Sequence, residues 1–146
     1  MATDRTVAAV WQGDLLTGSG TIEQAGSGAF GPLDVSWPSR SEEPNGKTSP
    51  EELIAAAWAS CFAMALSNVL AKAGNPPAKL ETSATVTFQP GQGITKGALT
   101  VLGTVPGIDA AAFSAAAGDA KLNCPVSQAL TGIPEITLDA QLASGS

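Results

Sequence analysis

Leu53 to Leu66 is a fourteen-residue apolar stretch broken only by Ser60, with clear punctuation on both sides. Upstream, Ser49 is a good N-cap, Pro50 suits the first helical position, and Glu52 lies three residues after Ser49 as in a capping box. Downstream, Gly74 followed by Pro76 and Pro77 ends any helix near Ala73. The spacing therefore predicts one long helix beginning at Pro50. Its first half is apolar around nearly the whole circumference, so it should be buried on most sides. As a run of fourteen residues it is too short to span a bilayer and reads as a core helix.

Around this helix the chain reads as short strands and further helices. Val7–Trp11, Leu15–Gln24 and Leu33–Trp37 are β-prone and separated by turn residues, an antiparallel meander. Residues 38–49 are polar, Pro-containing and charged, and read as an exposed loop. Leu80–Gln89 alternates, residues 90–93 form a turn, and Ile94–Val105 is the return strand. Asp109–Leu122 is Ala-rich with an acidic start, a second helix. Cys124-Pro125 opens a short third helix ending near Gly132, and Ile136–Leu142 alternates as a last strand. The order βββ-α-ββ-α-α-β describes an α+β fold, read as one domain over residues 1–146.

Several chemistries are closed to such a chain. It contains no histidine, so no Ser-His-Asp or Cys-His nucleophile can be assembled. Two cysteines without histidine cannot complete the usual tetrahedral zinc sets within one chain, and neither metal nor cofactor is expected. A net charge of −6 argues against nucleic acid or an anionic membrane as the main partner. No signal-peptide pattern precedes the first strand, which makes the cytoplasm the expected compartment. Two cysteines there are more often catalytic or redox-active than a structural staple.

Cys61 lies mid-helix among small and apolar residues, where a buried thiol is also a plain core residue. Cys124 directly precedes Pro125, which places it at or near a helix N-terminus. Free N–H groups there favour a thiolate, and cysteine is otherwise a poor cap. Without histidine, an arginine is the natural group to stabilise a thiolate. Of the two arginines, Arg5 is near the terminus and Arg40 lies just before the Cys61 helix. Glu51, in that helix's first turn, is placed to hold the Arg40 fork in a bidentate pair. Each of these charges, taken singly, also reads as a solvated surface group.

The segments Thr48-Ser49-Pro50-Glu51-Glu52-Leu53-Ile54-Ala55-Ala56-Ala57 and Cys61-Phe62-Ala63-Met64-Ala65-Leu66-Ser67 resemble the signature of the OsmC/Ohr family. So does Asn123-Cys124-Pro125-Val126-Ser127-Gln128-Ala129-Leu130. Trp11-Gln12-Gly13-Asp14 with Gly18-Ser19-Gly20 is similar to the OsmC branch. The resemblance extends from about Val7 to Leu142. It implies an intertwined homodimer, with antiparallel β-sheets packed on long central helices and two sites at the subunit interface. It also implies a thiol-dependent peroxidase acting on organic hydroperoxides. Cys61 would be the peroxidatic thiolate, Cys124 the resolving thiol, and Arg40 and Glu51 the charged pair of the site. A dithiol of lipoyl type would be the reductant. Many members of the branch carry a histidine where this chain has Trp58. Two other functions use the same residues without turnover: a redox sensor, and a small-molecule-binding module on the same fold.

Overall fold

A computed structural model describes residues 1–143; the last three residues of the 1–146 domain expectation lie outside it. The chain divides into two compact units, Met1–Leu53 and the remainder from Ile54.

The first unit holds an antiparallel sheet of β1 (Ala9–Gln12), β2 (Ser19–Ile22) and β3 (Leu33–Val35), in that order. The meander is as expected, but its strands are shorter. The Asp14 carboxylate accepts from the Thr17 amide at 2.8 Å and its hydroxyl at 2.7 Å, so residues 14–17 close a turn instead of extending β2. The same two bonds hold the Asp14 carboxyl below its usual range. Trp11 pairs across the ladder with Gly20, and a Cβ at Gly20 would lie 2.6 Å from the indole. Only glycine lets the ring lie on β2 there.

The segment expected to be an exposed loop starts as a helix, α1 (Trp37–Ser41). Ser36 Oγ accepts from the Ser39 amide at 3.2 Å, and Ser39 Oγ accepts from the Ser36 amide at 3.0 Å. This reciprocal cap, with Pro38 in the first turn, outweighs the polar composition that suggested a loop.

Helix α2 (Pro50–Lys72) begins in the first unit and continues into the second. Ser49 Oγ caps the Glu52 amide at 3.2 Å, as expected. The predicted capping box is only half formed, because the Glu52 carboxylate accepts from Thr48 Oγ1 at 2.7 Å instead.

In the second unit β4 (Lys79–Gln89) and β5 (Gly93–Thr104) form a long antiparallel hairpin. The chain then passes through α3 (Ala110–Asn123) and α4 (Pro125–Ala129) to β6 (Glu135–Leu142), which joins β5 in parallel. A parallel pair needs such a crossover. The alternating pattern of 136–142 predicts a strand but does not distinguish this direction.

Along α2, Trp58, Phe62, Leu66 and Leu70 recur every four residues and form a buried stripe. They share a core with Leu99 and Val101 of β5 and with Phe113, Ala117 and Ala120 of α3. Thr82 Oγ1 of β4 donates to the Ala59 carbonyl at 3.1 Å, tying helix to sheet. The other face of α2 is uncovered: Ala56, Ala57, Ser60 and Asn68 are exposed, and Met64 is 74% exposed. The expectation of burial on most sides therefore does not hold within one chain. The full 23-residue helix, unlike the shorter apolar run, is long and apolar enough to cross a membrane. Trp58, Phe62, Leu66 and Leu70 are instead committed to the core.

The Trp58 ring packs against β5 at Gly97. A Cβ at Gly97 would stand 2.5 Å from Trp58 Cζ3 and 2.6 Å from Cη2. Since Trp58 is fully buried, the ring has nowhere to retreat. Gly97→Ala should destabilise the protein by about 1–3 kcal/mol. Gly118→Ala on α3, where nothing lies within 4 Å, should instead stabilise it by up to ~1 kcal/mol. Paired chemical denaturation curves check both signs.

Candidate dithiol site

Cys124 sits where two helices meet. Its amide donates to the Ala120 carbonyl at 2.9 Å, closing α3, and its carbonyl accepts from the Gln128 amide at 3.0 Å, opening α4. Pro125 disfavours helical backbone at the preceding residue, and Cys124 is accordingly extended (φ −63°, ψ 122°). The kink turns its side chain into the core, where it is fully buried. Cys61, three residues beyond Trp58 on α2, meets it there. The two sulfurs are 2.9 Å apart and hydrogen-bonded, with both thiols free. A disulfide bond is about 2.05 Å, so closure needs a movement of roughly 1 Å.

Two placements of the shared proton compete. With Cys124 as donor, the negative charge would fall on Cys61; with Cys61 as donor, on Cys124. The surroundings favour the second. Burial pushes the Cys61 thiol up, its bond to Cys124 adds to this, and only the Val126 amide opposes them. Burial also acts to raise Cys124, but the Cys61 thiol, the Ser127 amide and hydroxyl, and the Val126 amide outweigh it and bring its pKa below the ordinary cysteine value. The start of α4 is thus the anion-favouring end expected from Cys124-Pro125.

The sulfurs differ in access. Cys61 is partly exposed and lines a cavity of about 640 Å³ with Met64, Val69, Lys72, Asn123 and Pro125. Cys124 does not line it.

A contact not anticipated from sequence locks α2 to α4. Trp58 Nε1 donates to Ser127 Oγ at 2.8 Å, with both residues buried. The available signal was the tryptophan itself, since a buried indole N–H needs an acceptor.

Arg40 and Glu51 belong to the first unit, where they form the expected fork. Arg40 Nε donates to Glu51 Oε1 at 3.0 Å and Nη2 to Oε2 at 2.8 Å. The Glu51 side chain is only 7% exposed, so it is not a solvated surface charge. Arg40 also borders an apolar cavity of about 350 Å³ with Trp11, Leu15, Val35, Trp37 and Pro50. The structure thus unites Cys61 with Cys124 in the second unit and Arg40 with Glu51 in the first.

An α+β chain with two free thiols in hydrogen-bonding contact defines a dithiol redox protein by class. The family model described as OsmC-like protein matches residues 43–139. Peroxiredoxin OsmC of Escherichia coli (strain K12) is 45% identical over 137 residues, covering 92% of this chain and 93% of that protein. The chain belongs to the OsmC family. The fold agrees with that of an organic hydroperoxide resistance protein OsmC from Legionella pneumophila (TM-score 0.67, 24% identity, 94% of this chain and 96% of that one). It also agrees with an OsmC-like protein from Mycoplasma pneumoniae (TM-score 0.73, 15% identity, 98% and 99%).

Mild oxidation of the reduced protein should join Cys61 to Cys124 within one chain. Thiol titration should fall from two to zero per chain, and peptide mapping without reductant should recover a single 61–124 cross-link. Cross-links between chains, or a persistent free thiol, would contradict the geometry.

Proposed function

We propose that this protein is a thiol-dependent peroxidase that reduces organic hydroperoxides to alcohols with Cys61 and Cys124. The observation that carries the reading is the 2.9 Å approach of the two sulfurs in a chain of the OsmC family. The names of related proteins, peroxiredoxin and organic hydroperoxide resistance protein, support it.

Cys61 is the sulfur that meets the peroxide, since it lines a cavity while Cys124 is sealed. Its thiolate attacks the distal oxygen of ROOH, the O–O bond breaks, and the alkoxide takes a proton and leaves as alcohol. Cys61 is left as sulfenic acid. Cys124 attacks Cys61 Sγ, hydroxide departs and is protonated to water, and the disulfide forms. An external dithiol, of lipoyl type on the family resemblance, returns both thiols and becomes a disulfide itself. The apolar Met64, Ala65 and Val69 beside Cys61 suit an alkyl peroxide better than hydrogen peroxide.

Because burial pushes the Cys61 thiol up, the first step needs a cation. We assign that role to Arg40, oriented by Glu51, on the family resemblance. The whole chain, 1–146, acts in this reading as one OsmC-like domain in a reducing compartment, the cytoplasm. It functions as a homodimer. The support is the uncovered face of α2, whose most apolar stretch is only 22% buried within one chain.

Cys61→Ser should abolish steady-state consumption of cumene hydroperoxide with a dithiol. Substantial turnover in that variant would overturn the assignment, and consumption that stops after one peroxide per chain in the wild type would make the pair a redox switch instead. Arg40→Met should raise the pH midpoint of Cys61 alkylation and slow peroxide reduction about tenfold or more, as expected for removing one charge next to a thiolate. An unchanged midpoint removes Arg40 from the mechanism. Chromatography with light scattering should give twice the 14.5 kDa chain mass, and a folded, active monomer would exclude the dimer.

A further inference from the structure

Trp58 and Cys61 are three residues apart on α2, and Cys124 and Ser127 are three residues apart where α4 begins. The two pairs meet in opposite order. Trp58 Nε1 donates to Ser127 Oγ at 2.8 Å, and the Cys61 and Cys124 sulfurs approach to 2.9 Å. They are two rungs between the same two segments, about 4.5 Å apart along α2. Among the described residues, the indole–hydroxyl bond is the one hydrogen bond from α2 to α4 that does not involve a sulfur.

The two ends of that bond are held differently. Trp58 is fully buried, and its ring packs at Gly97 of β5, where a Cβ would stand 2.5 Å away. Helix α4 has little support of its own. Five residues are too few for a stable helix, and the extended Cys124 separates it from α3. Its Val126 packs against the core, but apolar contact is non-directional and tolerates sliding. A hydrogen bond at 2.8 Å does not. Both partners are buried, so water does not compete for either.

We propose that the Trp58–Ser127 hydrogen bond is a latch for the resolving step: it carries the position of the sheet-anchored indole to α4 and holds Cys124 against Cys61, so that the disulfide closes before a second peroxide arrives. That use rests on the peroxidase reading; the hold on the sulfurs does not.

Once one peroxide has reacted, two reactions compete for the Cys61 sulfenic acid. In the first, Cys124 Sγ attacks Cys61 Sγ. The S–S bond forms, the S–O bond breaks, and hydroxide leaves with the thiol proton as water. In the second, another ROOH gives an oxygen to the same sulfur. Its O–O bond breaks, the alcohol departs, and a sulfinic acid remains that Cys124 cannot reduce. The first reaction is intramolecular, so placement sets its rate. The sulfurs have roughly 1 Å to close, and a misplacement of about 1 Å costs on the order of a hundredfold. Trp58 and Ser127 are positioning residues, since neither touches the peroxide in this scheme.

The test follows reduced protein after a single equivalent of cumene hydroperoxide. Trp58→Phe removes the N–H and keeps a ring; Ser127→Ala removes the acceptor. Each should slow disulfide formation roughly ten- to a hundredfold. Each should leave the sulfenic acid open to capture by dimedone and, under excess peroxide, leave Cys61 heavier by two oxygens. The double variant should close no more slowly than the slower single one, because both remove the same bond. Ser127→Thr, which keeps the hydroxyl, should close like the wild type. Loss of the Cys61 thiol in the first step should hold its rate, whereas a general loosening would alter both steps. The slow closure should also persist as pH rises, which a loss of Cys124 ionisation would not.

A buried site of this kind can fail to fold when altered, so a second measurement leaves residues 58 and 127 in place. In wild-type protein labelled with ¹⁵N, the Trp58 indole N–H, assigned by Phe replacement of Trp11 and Trp37, should exchange with solvent as slowly as the core amides of β5. It should do so in both the dithiol and the disulfide forms. Rapid exchange in either form, or wild-type closure in folded Ser127→Ala or Trp58→Phe, overturns the latch. Wild-type protein that stops after one peroxide per chain overturns the peroxidase reading and leaves the closure rates standing.

Discussion

Trp58 makes a demand that shapes the second unit. A fully buried indole carries a large apolar area that favours burial and one N–H that cannot be left unpaired without a cost of about 1–3 kcal/mol. Both requirements are met at fixed places. The ring is laid against β5 where Gly97 has no side chain, and the N–H finds Ser127 on α4. Three elements distant in sequence are thereby held in one arrangement. Cys61 is one helical turn further along α2, and Cys124 immediately precedes α4. The sulfur–sulfur contact is a by-product of where the tryptophan is anchored.

The two thiols receive different environments from the same packing. Cys61 borders open space and is unfavourable as an anion within the chain; Cys124 is sealed and favoured as one. The position of Cys124 before Pro125 had pointed to this anion, whereas the thiolate role of Cys61 came from the family resemblance. The physical reason is local. Cys61 is mid-helix, where every amide is already committed to a carbonyl one turn earlier. Cys124 stands at the one point where the backbone changes helices and its amides point free.

Much of this was readable in the residues. Ser49-Pro50 and Gly74 bound α2 because caps and prolines act locally, and Asp109 capped α3 for the same reason. The Arg40–Glu51 fork followed from the chemistry of guanidinium and carboxylate. What was hidden depended on tertiary contact. The approach of Cys61 to Cys124 spans 63 positions and has no local signature. The parallel direction of β6 is invisible in an alternating pattern that fits either pairing. Helix α1 was missed because the Ser36–Ser39 cap is concealed in a polar stretch that composition assigns to a loop. The bond from Trp58 to Ser127 joins residues 69 positions apart and likewise has no local signature.

The parallel entry of β6 has a consequence for how the protein is made. An antiparallel strand can zip onto its neighbour as soon as a turn closes, but β6 must wait until α3 and α4 have carried the chain back along the sheet. During synthesis Cys61 leaves the ribosome long before Cys124, and the strand that completes the sheet follows both. The native sulfur pair depends on contacts of long sequence separation, which form slowly. A chain that has not finished folding holds two separated thiols, and the one that has finished holds a redox couple.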